Sequence, residues 1–110
     1  MTLFLLRTSQ GCPEQYSVYT ENGSSAGYIR LRWGELTMEY PDVGCELAYN
    51  YSFPDKMKGS FDDEEEREHF INEIINVIKE KLFIEGDVSL ESFDDADKLM
   101  SRLYGTKEEV

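Results

Sequence analysis

The chain has 110 residues, 23 acidic against 11 basic, and a formal net charge of −12, so a basic partner is favoured and a phosphate backbone would be repelled. Its 40% hydrophobic and 13% aromatic content excludes disorder and suits one core rather than two. No apolar run approaches the roughly 20 residues of a membrane helix. The start Met1–Arg7 has neither a basic leader nor a small-residue cleavage site, so the expectation is a cytoplasmic protein with Cys12 and Cys45 as free thiols.

Leu3 to Leu6 are apolar on both faces and predict a first strand covered on both sides. Tyr16, Val18 and Thr20 alternate as a second. Ile29, Leu31 and Trp33 alternate with Tyr28, Arg30 and Arg32, and after Gly34-Glu35 the pattern resumes as Leu36, Met38 and Tyr40. A type II′ turn at Gly34-Glu35 would pair Trp33 with Leu36, Leu31 with Met38 and Ile29 with Tyr40. A turn at Val43-Gly44 would pair Tyr40 with Leu47, Met38 with Tyr49 and Leu36 with Tyr51. With Tyr16, Val18 and Thr20 set opposite Trp33, Leu31 and Ile29, the whole apolar set shares one face and Trp33 belongs to the core.

After Pro54 the period becomes helical. Phe70, Ile71, Ile74, Val77, Ile78 and Leu82 form one stripe on a helix over about 62–83, suited to cover Ile29, Trp33, Met38 and Tyr49. Ala96, Leu99, Met100, Leu103 and Tyr104 predict a second helix over about 94–104, with Gly105 as its stop. Ser60-Phe61-Asp62-Asp63 recurs as Ser92-Phe93-Asp94-Asp95, which reads as repeated capping chemistry, and Asp62 with Glu65 has capping-box spacing. Residues 85–91 read as a loop and the last few as loose. The expected fold is α+β in a single domain over 1–110: an antiparallel meander of about five strands within 2–53, one long amphipathic helix packed on one face, and a short C-terminal helix.

No catalytic, metal or cofactor signature stands out. His69 is the only histidine, so a zinc pair on one helix is absent, and the acidic run lacks the glycine-assisted turn of a calcium loop. Neither cysteine sits in an activating motif. The expectation is therefore a non-enzymatic protein without cofactor or metal. Asp62 to Glu68 places six carboxylates in seven residues, more than helix capping requires, and residues 62–110 carry sixteen acids against six bases. Asp62, Asp63, Glu64, Glu65, Glu66, Glu68 and Glu73 are the candidate partner-binding residues, joined by Asp94, Asp95 and Asp97. They would meet a basic surface of a partner protein, such as a nucleic-acid-binding groove, in place of the phosphate backbone.

Two alternatives stand beside that one. Tyr28, Arg30 and Arg32, with Tyr19 and Asn50, would share the sheet face away from the long helix and could hold single-stranded nucleic acid. Against this, the derived register sets Arg30 opposite Glu39, which would neutralise it, and the net charge repels phosphate, so direct nucleic-acid binding is not expected. A homo-oligomer built through an uncovered sheet edge is the other alternative.

Overall fold

The computed structural model describes residues 1–9 and 11–105, so the C-terminal residues expected to be loose lie outside the described residues. Six strands, β1 (Thr2–Arg7), β2 (Glu14–Tyr19), β3 (Ser25–Arg32), β4 (Glu35–Tyr40), β5 (Glu46–Ser52) and β6 (Ser89–Phe93), accompany two helices, α1 (Glu64–Lys81) and α2 (Ala96–Tyr104). The sheet order is β5-β4-β3-β2-β1-β6. Every pairing is antiparallel except β1 with β6, which is parallel. The fold is α+β as expected, with two corrections: the sheet has six strands rather than five, and it is mixed. The sixth strand begins inside the segment read as a loop, where Leu3 faces Leu90 and Leu6 faces Phe93.

The doubly apolar first strand explains the layering. Leu3 and Leu5 enter the main core beneath α1, together with Tyr16, Val18, Ile29, Leu31, Leu36, Met38 and the α1 residues Phe70, Ile71, Ile74, Ile75 and Ile78. Phe4 and Leu6 face the other way, into a smaller core closed by Leu99 of α2 with Tyr19, Phe93 and Leu103 around it. Helix, sheet and helix therefore form three layers, thin on the α2 side. Each fully buried aliphatic side chain, Leu31 or Ile74 for example, contributes on the order of 1.5–3 kcal/mol.

Strand faces follow the expectation except at Trp33 and Leu47, while the β2–β3 and β3–β4 registers do not. The β3–β4 turn is centred on Trp33-Gly34, with Arg32 opposite Glu35, Leu31 opposite Leu36 and Ile29 opposite Met38. Both central residues have positive φ, 54° for Trp33 and 75° for Gly34, as a type I′ turn requires. The reason lies downstream. Gly34 N–H donates to Lys58 O at 2.8 Å, Gly34 O accepts from Phe53 N at 2.7 Å, and a Cβ on Gly34 would sit 2.6 Å from Asp55 O. The segment after β5 thus clamps the turn on the one residue that can be approached so closely. Trp33 is consequently displaced from the core, where the alternation had placed it, and is 58% exposed, a further correction.

The β2–β3 register moves further, placing Tyr16 opposite Ile29 and Glu14 opposite Leu31. In the next hairpin Leu36 faces Tyr51 and Met38 faces Tyr49 as expected. A bulge between Met38 and Glu39 then sets Tyr40 opposite Glu46 rather than Leu47. At the start of α1 the capping pair falls one residue later than predicted. Asp63 accepts from Glu66 N–H at 2.8 Å, and Glu66 accepts from Asp62 N–H at 2.7 Å. In α2 the cap is Asp95, accepting from Asp97 N–H, and Gly105 ends the helix at φ 81°. No helix among the described residues is long and apolar enough to cross a membrane.

Candidate interaction surfaces

Local structure employs most of the acidic run. Asp63 caps α1. Asp62 and Glu66 share the Lys58 ammonium at 2.9 and 3.1 Å, which lifts the Lys58 pKa above its ordinary value despite the opposing effect of burial. Glu64 pairs with Arg67. Glu73 accepts from the Tyr49 hydroxyl at 2.6 Å and lies 3.3 Å from His69 Nε2. Burial first, and then the Glu73 carboxylate, push the Tyr49 hydroxyl well above the usual tyrosine range. Glu65 and Glu68 are exposed and form no ion pair among the described residues.

Beneath this run lies a group that composition conceals. Glu14 shares the inward parity of Tyr16 and Val18, and only 1% of its surface is exposed. Its carboxylate accepts from Arg67 Nε at 2.6 Å, from Arg67 Nη2 at 3.3 Å, from Phe61 N–H at 3.1 Å and from the Tyr16 hydroxyl. Arg7 Nη2 stands 3.8 Å away. Burial alone would raise the Glu14 pKa, but these donors outweigh it and hold the carboxyl below its usual range. Tyr16, desolvated and facing that carboxylate, is pushed well above the normal tyrosine value. Arg67, the single base inside the acidic run, thus ties the helix start to the sheet.

Above this network a cleft of about 380 Å³ is lined by Leu5, Arg7, Tyr16, Glu64, Arg67, Ser92, Phe93 and Asp94. It brings together the N-terminal ends of both helices at the carboxyl end of the parallel β1–β6 pair. Of the predicted partner-binding residues, Glu64 therefore lines the same cleft as Asp94, although thirty positions separate them in sequence.

The other sheet face differs. Tyr19 is partly buried against α2, while Tyr28, Arg30, Arg32 and Thr37 lie beyond that helix, which packs on β1 and β6. Arg30 is opposite Gln15 and Thr37, not Glu39, whose partner across the ladder is Tyr28. The expected neutralisation of Arg30 by Glu39 is thereby overturned. Among the described residues, neither Arg30 nor Arg32 forms an ion pair. Glu35, opposite Arg32, is bonded to the Ser52 hydroxyl at 2.7 Å and lies 3.6 Å from Lys56. Trp33 and Arg32 stand between two notches. One, of about 200 Å³, is completed by Cys12, Pro13, Met57 and Gly59, and the other, of about 210 Å³, by Arg30, Glu35 and Thr37.

Cys12 and Cys45 are both exposed free thiols. Among the described residues no group of three or more His, Cys, Asp or Glu side chains is arranged to hold a metal ion. No family model matches the chain, and comparison with curated proteins and with solved structures likewise returned no significant match.

Proposed function

We propose that the protein is a non-enzymatic interaction module whose acidic end docks on a basic protein surface of the kind that binds nucleic acid, and so competes with the phosphate backbone for it. One observation supports this most: Glu64 from the start of α1 and Asp94 from the approach to α2 line one cleft, together with Arg7 and Arg67, so the two acidic helix starts lie at the same end of the sheet. Capping and local ion pairs absorb Asp62, Asp63 and Glu66, but they leave Glu65 and Glu68 exposed to solvent on the same helix start. Exposed carboxylates held on two rigid helix starts are pre-organised negative charge, which steers and orients a basic partner more than it adds affinity.

The test compares immobilised wild type with a variant carrying Glu65→Lys, Glu68→Lys, Asp94→Lys and Asp97→Lys. Basic nucleic-acid-binding proteins should be retained by the wild type, released by salt or by competing DNA, and lost by the variant. Screening of exposed charges within about 8 Å at physiological ionic strength sets the salt dependence. Equal retention by both proteins would refute the reading.

A further inference from the structure

We propose a second binding site on the sheet face opposite α1, taking single-stranded nucleic acid, with a base stacked on Trp33 and neighbouring phosphates held by Arg30 and Arg32. This site is independent of the acidic end and would stand or fall separately.

Trp33 is the starting point because folding does not favour it where it is. The first central position of a type I′ turn calls for Asn, Asp or Gly, yet a bulky aromatic occupies it at φ 54°, a backbone region that side chains of this size rarely adopt. The same residue leaves 58% of its surface in water. Strain and exposure thus coincide on one side chain, the combination that marks functional positions.

The surroundings supply the chemistry. Arg32 borders both notches beside the indole, and Arg30 lines one of them. The neighbours of Arg30 across the ladder, Gln15 and Thr37, are neutral, so its guanidinium is left for an outside anion. On β4, the strand beside Arg30 and Arg32, the two carboxylates are already engaged, Glu35 by Ser52 and Lys56, and Glu39 by the Gly44 N–H at 2.8 Å. The carboxylates of residues 62–68 lie at the start of α1, on the other side of the sheet, and the acids that open α2, on this side, sit at the β1–β6 end, away from β3 and β4. Tyr28 continues the row along β3. Two arginines flanked by aromatic rings, Tyr28 and Trp33, match a strand whose bases stack and whose phosphates follow the arginines. A duplex offers no unstacked base to the indole, and carboxylate side chains alone bring no ring to it.

Trp33 is the only tryptophan, so its emission reports the site directly. Titration with a short oligothymidine at low salt should quench it. Anisotropy of the labelled oligomer should weaken with salt at a log–log slope of about −1.4, the value for two phosphates neutralised on a single strand. Replacing both arginines (Arg30→Gln, Arg32→Gln) should lower affinity at least about tenfold and flatten that slope. Trp33→Asn should lower it about tenfold while leaving the melting temperature unchanged or higher, because the turn then carries Asn-Gly. Absence of quenching, equal binding of duplex DNA, equal quenching by poly-glutamate, or wild-type affinity in Trp33→Asn would each overturn the assignment.

Discussion

Glu14 and Glu64 bond to the same guanidinium from opposite sides, one with no accessible side-chain surface and the other with 82% of its side chain in water. In the core, the Glu14 carboxylate has displaced all its water with fixed donors, and removing any of them leaves charge that nothing else can solvate. On the rim, Glu64 exchanges a protein contact for a hydrated one at almost no cost. Acidity in this chain therefore has two meanings. A single buried carboxylate anchors α1 to the sheet, whereas the conspicuous exposed run contributes to capping and surface charge, with Glu65 and Glu68 outside its local ion pairs.

Substitutions along this line can break the contrast or sharpen it. Arg67→Met strands the Glu14 charge and should cost about 3–5 kcal/mol in urea unfolding. Glu14→Gln keeps the shape but loses charge-assisted bonds, and about 1–3 kcal/mol is expected. The same variant should alter the acid limb. The folded Glu14 carboxyl titrates below its ordinary 4.5, so its stabilisation is fully present above that pH and is lost as pH falls through the folded value. Wild type should therefore lose stability below about pH 4.5 more steeply than Glu14→Gln. Asp63→Ala, which removes the cap of α1, should cost about 1 kcal/mol. Glu64→Gln should stay within about 0.5 kcal/mol. A cost for Glu64→Gln as large as that for Arg67→Met would erase the distinction between the two carboxylates.

The helices and strand faces were legible because periodicity survives register errors that preserve parity. Moving the β3–β4 pairing from Leu31–Met38 to Leu31–Leu36 is a slip of two residues, and it returns every side chain to the same face. What the turn region alone could not settle was which residues sit at its tip. That choice is made by Phe53 and Lys58 closing on Gly34 from beyond the next strand, and it alone moves Trp33 out of the core. β6 was missed because five residues with only Leu90 and Phe93 as large apolar groups give little alternation, and its partner β1 lies more than eighty positions away. Glu14 did leave a signal. It shares inward parity with Tyr16 and Val18, and Arg67 is the one base within the acidic run, so an inward acid and a misplaced base pointed at each other. The sharing of one cleft by Glu64 and Asp94 had no such trace, since it depends on the parallel placement of β6.

The position of β1 also bears on how the chain reaches this state. This strand pairs on one side with β2, close by in sequence, but on the other with residues 89–93, which come after every other strand and after α1. Until α2 follows, Phe4 and Leu6 have no cover and β1 presents an open edge, even after β1 to β5 and α1 have closed the main core. A chain ending before β6 would thus keep the residues of the main core but carry an adhesive flank, and the contacts that close it span a long loop with high closure entropy. Truncation before residue 89 is accordingly expected to yield aggregates rather than a smaller soluble domain.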